Sequence, residues 1–179
     1  MGSGKTTIGR QLASQLGREF RDSDREVEQR TGASVALIFE IEGEEGFRRR
    51  EKNMIEELTA MRGIVLATGG GAVLDPKNRA HLRSRGFVVY LRAPIDQLYE
   101  RIYRDPNRPL LQTGQPQQML RRLIEERDPL YRETADLIID THHRTVREVL
   151  KEISLTFKNG TGPLRTFRSY RRRFRHRTR

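Results

Sequence analysis

Gly2-Ser3-Gly4-Lys5-Thr6-Thr7-Ile8-Gly9-Arg10-Gln11-Leu12-Ala13-Ser14-Gln15-Leu16-Gly17 opens the chain, and its reading decides the fold. Glycines at 2 and 4 let backbone N–H groups turn onto phosphate oxygens. Lys5 can reach the outer phosphates, and the hydroxyl of Thr6 suits Mg²⁺. Ile8, Leu12 and Leu16 follow at i, i+4 and i+8, which predicts an amphipathic helix from about Lys5 to Leu16, stopped by Gly17. A phosphate-binding loop that runs straight into a helix is the start of an α/β domain. The full loop pattern, G-x-x-x-x-G-K-[ST], needs a further glycine three residues before Gly2 and an apolar strand ahead of it. Neither is in the sequence, so a gap is expected between the strands near 64–67 and 87–91.

Apolar strands alternate with helices along the rest of the chain. Ile64-Val65-Leu66-Ala67 reads as a buried strand leading into Gly69-Gly70-Gly71, Phe87–Leu91 as a second and Leu137–Ile139 as a third. Glu19–Asp22 is a short stretch leading to Ser23-Asp24, which can cap a second helix. Ser34 is expected to cap a short helix over 35–42. Phe47, Ile55 and Leu58 mark a longer one ending near Gly63. Further helices are expected at about 76–85, 94–104, 116–127 and 145–157. This alternation implies a parallel sheet covered on both faces. The segment 105–116 holds three prolines and a glycine between helices, a composition suited to a lid.

Composition limits what the chain can be. Its 179 residues suit one domain, and the absence of cysteine removes disulfides and thiolate metal sites and fits a reducing cytosol. The formal net charge is +11, but Lys158 and eight arginines between 165 and 179 supply nine of those charges. That leaves +2 for residues 1–157, so the basicity belongs to a tail, 158–179, and not to the body. Such a tail is expected to be a solvated extension able to meet RNA or another polyanion. The four histidines show no metal-ligand spacing.

Several side chains outside the loop suit phosphoryl transfer. Asp22 and Asp24 follow a strand end, where ligands gather in open α/β sheets. One can face Mg²⁺ and the other a substrate hydroxyl, or they can simply cap the next helix. Arg48, Arg49 and Arg50 lie among Glu44, Glu45 and Glu51, a pattern expected to be mostly a solvated face, although one arginine can turn inward to fork a carboxylate. Three consecutive glycines at 69–71 suit a turn that a ligand approaches closely. Arg108 and Arg127 are further cations able to offset charge on a transferring group.

Taken in order, GSGKTTIGRQLA, DSD, EGEEGFRRRE, LATGGGAV, NRPLL, ERDPLY and DTHHRT resemble the bacterial shikimate kinases over about residues 1–155. The resemblance implies a three-layer fold like the P-loop nucleoside-monophosphate kinases, with a parallel sheet in strand order 2-3-1-4-5 whose first, central strand is missing here. It implies a kinase domain over 1–157, with substrate-binding helices at about 23–61 and a lid at about 104–116. The implied reaction is transfer of phosphate from ATP, with Mg²⁺, to the 3-hydroxyl of shikimate by a cytoplasmic monomer. The residue roles follow by position. Gly2, Ser3, Gly4, Lys5, Thr6 and Thr7 match the ATP loop, with Thr6 and Asp22 at the metal. Asp24 matches the acid that binds the substrate hydroxyls and is the proposed base. Arg48 and Arg127 match the pair holding the substrate carboxylate, Gly70 and Gly71 the backbone at substrate and phosphate, and Arg108 the lid arginine. Arg101 and Arg144 match positions flanking adenine. The rival readings are a kinase of gluconate or of a nucleoside monophosphate, and an inactive product whose basic tail binds nucleic acid.

Overall fold

The computed structural model describes residues 3–103 and 116–160. The first helix, α1 (Lys5–Leu16), follows Gly4, which sits in the left-handed region at φ 84°, and ends at Gly17, whose amide returns to Ala13 and Ser14. Both glycines are needed because the backbone has positive φ there. Then come β1 (Glu19–Asp22), α2 (Ser23–Thr31) and α3 (Val35–Ala60). The two helices expected between 35 and 63 form one element bent at Gly43, where φ is 70° and ψ −176°. Ser34 caps it by accepting from the Leu37 amide, and an Arg50–Glu42 ion pair at 2.6 Å spans the bend.

The chain continues through β2 (Ile64–Ala67), a 3₁₀ turn at Ala72–Leu74, and α4 (Pro76–Arg85), with Asp75 capping α4 and Pro76 in its first turn. After these come β3 (Val89–Arg92), α5 (Ile95–Tyr103), α6 (Pro116–Thr134), β4 (Leu137–Asp140) and α7 (Val146–Gly160). Two expected boundaries are corrected. The strand expected at 87–91 begins at Val89, because Val88 is already engaged with the chain before β4. Its amide donates to Asp136 Oδ2, and its carbonyl accepts from the amides of Asp136 and Leu137. The helix expected to stop at 127 runs on to Thr134 through Pro129. Proline there removes one backbone donor, yet the last turn is tied by Ala135 N–H to the Tyr131 carbonyl and by Thr134 Oγ1 to Leu130.

Two parallel pairs make up the described sheet. In one, Glu19 lies opposite Ile64 and Asp22 opposite Ala67; in the other, Val89 lies opposite Leu137 and Arg92 opposite Asp140. Among the described residues no ladder joins β2 to β3, so the expected gap is present. The fold is α/β. Ile8 of α1 packs with Ile139 of β4 and with Val149, Leu150 and Ile153 of α7. A second cluster, Val27, Ile38, Phe47, Met54 and Leu58, joins α2 to both segments of α3. Helix α7 extends to Gly160, three residues beyond the expected domain end, while the rest of the basic tail lies outside the described residues. No helix among the described residues is long and apolar enough to cross a membrane.

Candidate active site

The parallel registers bring the strand ends Asp22, Ala67, Arg92 and Asp140 to the C-terminal edge of the sheet, where α/β folds place ligands. The N-terminus of α1 meets that edge. Thr6 Oγ1 donates to Asp22 Oδ2 at 3.2 Å, and the other carboxylate oxygen of Asp22 accepts from the Asp24 amide at 3.2 Å. Asp22 is therefore the N-cap of α2, a role expected of Ser23 or Asp24. Ser23 is fully buried instead, and its Oγ accepts from the Gly69 amide at 3.1 Å, pinning the glycine turn to the start of α2. No acidic residue occupies the first turn of α1. Its amides and dipole are thus left for an external anion. A hydroxyl and a carboxylate side by side at that terminus are hard oxygen donors, and they fit Mg²⁺ bound to a nucleoside triphosphate.

Opposite the loop, four charged side chains interlock. Of the three consecutive arginines, Arg49 is exposed and Arg50 pairs with Glu42, whereas Arg48 turns inward. Arg48 Nη1 donates to Glu51 Oε2 at 2.7 Å, while its Nε and Nη2 grip Glu44 Oε1 at 3.1 and 3.0 Å. Glu51 is 1% exposed, and its second oxygen is buried without a hydrogen bond. Burial raises the Glu51 carboxyl above the usual carboxylate range. Arg48 opposes that rise, the charge of Asp24 adds to it and Arg127 reduces it. These four groups share one electrostatic site. The glycines show how tightly they fit. A Cβ on Gly69 would lie 2.6 Å from Asp24 Oδ1 and 2.8 Å from Glu51 Oε1, and one on Gly71 would overlap the Arg48 guanidinium. These glycines are required by side chains packed onto their backbone.

Helix α6 closes the site. Tyr131 donates its hydroxyl to the Gly70 carbonyl, and its ring lies 4.8 Å from that of Tyr90. Tyr90 in turn donates to Asp128 Oδ1 at 2.9 Å. Burial pushes the Tyr131 hydroxyl up, against a pull downward from Arg127. Arg127 is half-buried, with its Nε free of hydrogen bonds. Ser3, Lys5, Gly69, Gly70 and Arg127 all line one cleft.

Most expected site residues therefore converge, but some do not. Arg144 follows β4 and is held by Glu152 of α7 at 2.6 Å. Thr7 is exposed on α1. Arg101 falls within α5, while Gly2, Arg108 and the segment expected to form the lid, apart from Pro116, lie outside the described residues. Glu51 corrects the expectation of a solvated charged face. The signal was there: 47, 51, 54, 55 and 58 fall on one helical stripe, and Glu51 is its only charged member. The roles of Tyr131 and Ser23 were not legible, because nothing in their spacing tells of a bond to a distant glycine.

Comparison with known proteins agrees with this geometry. The family model described as Shikimate kinase matches residues 1–158. The chain belongs to the shikimate kinase family. A shikimate kinase of Thiobacillus denitrificans is 60% identical over 146 residues, covering 82% of this chain and 80% of its own. One of Methylococcus capsulatus is 52% identical and covers 93% of both chains. The structure of shikimate kinase from Acinetobacter baumannii in complex with shikimate superposes with a TM-score of 0.86 at 52% identity, covering 90% of this chain and 91% of that one. Shikimate kinases are ATP- and Mg²⁺-dependent transferases, and the oxygen donors at Thr6 and Asp22 suit that chemistry.

Proposed function

We propose that this chain transfers the γ-phosphoryl group of ATP to the 3-hydroxyl of shikimate, a step of aromatic amino-acid biosynthesis, with the roles given below. The observation carrying the reading is the Arg48–Glu51–Asp24–Arg127 cluster, built on the buried Glu51, beside the glycine turn. Paired guanidinium groups suit a planar carboxylate, and a carboxylate beside them suits hydroxyls on the same ring. A nucleotide base offers neither pattern.

Arg48 and Arg127 hold the substrate carboxylate, with Glu51 keeping Arg48 inward. Asp24 orients the attacking hydroxyl and takes its proton. Its position is fixed through its own amide, held by Asp22, and through the close approach of Gly69. Gly70 and Gly71 present backbone to substrate and phosphate, with Tyr131 fixing Gly70. The loop from Gly2 to Thr7 holds the phosphates, and Lys5 and Arg108 offset charge on the transferring group. Arg101 and Arg144 flank the adenine. Thr6 and, through water, Asp22 would hold Mg²⁺, which would supply neutralisation of phosphate charge. Positioning and charge neutralisation outweigh base strength in such a transfer, because the transition state is loose. A monomeric state and a cytoplasmic workplace belong to the same proposal.

A substrate panel tests it. ATP-dependent phosphorylation of shikimate, with ¹H–³¹P correlation to the proton on carbon 3, is the expected result. Preferential phosphorylation of gluconate or of a nucleoside monophosphate would replace this reading with a related kinase.

A further inference from the structure

Residues 69–72 form a β-turn, in which the Ala72 amide donates to the Gly69 carbonyl at 3.2 Å. Gly71, the third residue of the turn, has φ −91° and ψ −9°, the values of a type I turn. Rotating the central peptide by roughly half a turn would give type II, which needs positive φ at that third residue. Glycine takes positive φ at no steric cost. With glycine at both 70 and 71 the backbone permits either state, so the choice falls to whatever grips the central peptide.

The other peptides of this stretch are tied down. Ser23 Oγ accepts from the Gly69 amide, and the carbonyls of Gly69 and Gly71 accept from the amides of Ala72 and Leu74. The Gly70–Gly71 peptide is held at its carbonyl, by the hydroxyl of Tyr131. A trans peptide directs its C=O and N–H to opposite sides. The bond to Tyr131 therefore turns the Gly71 N–H away from that residue. Gly71 is buried, and its N–H has no hydrogen-bond partner among the described residues. A buried amide in that condition points to an acceptor supplied by a ligand. Its surroundings define that acceptor. The guanidinium of Arg48 lies on Gly71, close enough to overlap a Cβ placed there. Arg127 reaches the Tyr131 hydroxyl by charge and by hydrogen bonding. An N–H set among guanidinium groups suits a planar anion, and the anionic group of shikimate is its carboxylate. Burial raises the Tyr131 hydroxyl, which keeps it protonated and able to donate.

We propose that Tyr131 is a positioning residue for the substrate carboxylate: its hydroxyl holds the 69–72 turn in the type I state, with the Gly71 N–H presented beside Arg48, and steadies Arg127 through the same oxygen. The proposal rests on shikimate being the substrate. Tyr131 acts through the Gly70–Gly71 peptide and through Arg127, not on the reacting atoms. Without its hydroxyl the turn gains access to type II, which reverses that peptide. The Gly70 carbonyl, an acceptor, then stands where the N–H had stood and repels the carboxylate.

Tyr131→Phe keeps the ring against Tyr90 and removes the hydroxyl. Steady-state rates are measured with shikimate and with the corresponding alcohol, in which the carboxylate is reduced to hydroxymethyl. Tyr90→Phe is the control, because it removes the other hydroxyl of the same ring pair. In Tyr131→Phe the KM for shikimate should rise about tenfold, as for one lost hydrogen bond to a charged group, while kcat and the KM for ATP stay within about twofold. The preference for acid over alcohol in kcat/KM should fall by about the same factor, and Tyr90→Phe should keep the preference of the parent. A merely structural role would weaken acid and alcohol alike. Equal losses on both, an unchanged preference in Tyr131→Phe, or a Tyr131→Phe protein that circular dichroism shows to be unfolded overturns this proposal alone. A parent chain with no preference for the acid overturns the substrate reading together with it.

Discussion

The two sides of the cleft hold their shape by different means. On the side of α2, α3 and the glycine turn, several groups are fixed by a specific partner. Arg48 is held by Glu51 and Glu44, Ser23 by Gly69, and Gly70 by Tyr131. On the side of the phosphate loop, the Thr6–Asp22 bond ties α1 to the end of β1, and among the described residues no ladder joins β2 to β3 behind it. A site made by side chains meeting across helices is held together even where the described strands form two separate pairs. A loop whose function lies in its backbone depends on the strand that aims it.

Substitutions can break this comparison. The largest effect is expected for Asp24→Asn, with turnover falling about 10²- to 10⁴-fold, the range for loss of a positioned base. ATP affinity should hardly change. Steady-state rates and nucleotide titration check this, and equal losses in both would remove Asp24 from its role. Arg48→Ala should weaken shikimate binding by about 2–4 kcal/mol, since it removes a guanidinium and leaves Glu51 buried alone. Arg48→Lys should recover little of it, because a point charge cannot fork a carboxylate. Gly71→Ala should cost roughly 1–3 kcal/mol of stability by forcing Arg48 aside. That cost lowers Tm by about 2–4 °C per kcal/mol for a chain of this size. It should weaken shikimate more than ATP.

A finer effect sharpens the electrostatic side. The folded chain raises the Glu51 carboxyl, so the native state holds that proton more tightly than the unfolded state. The stabilisation is therefore fully present below the unfolded value and is lost as pH rises through the higher folded value. In urea melts across that window, the parent should lose stability relative to Glu51→Gln as pH rises. A constant difference would show that Glu51 does not titrate between the states. The smallest effect is expected for Tyr90→Phe, about 1 kcal/mol for the lost bond to Asp128.

Much of this was legible in the sequence, for definable reasons. The 3.6-residue spacing of Ile8, Leu12 and Leu16 bounded α1, and Ile64–Ala67 with the glycines after it gave β2 its place. Asp22, Asp24, Arg48 and Arg127 were identifiable as charged residues at strand and helix ends or in a matching family pattern. Glu51 was not, because local charge pairing on an arginine- and glutamate-rich helix looks solvated unless its phase against Phe47, Met54 and Leu58 is followed. The passage of α6 through Pro129 was also hidden. Proline normally ends a helix, and here bonds from Thr134 and Ala135 keep the final turn. Which glycine met which side chain depended on contacts far apart in the chain.

The most direct test of the account is calorimetric titration of the full chain with shikimate in the absence of nucleotide, alongside Arg48→Ala and a gluconate control. The account predicts that the parent binds shikimate, that Arg48→Ala loses most of that affinity, and that gluconate binds far more weakly. Shikimate affinity unchanged by Arg48→Ala, or matched by gluconate, would contradict the claim that this charge cluster is the substrate site.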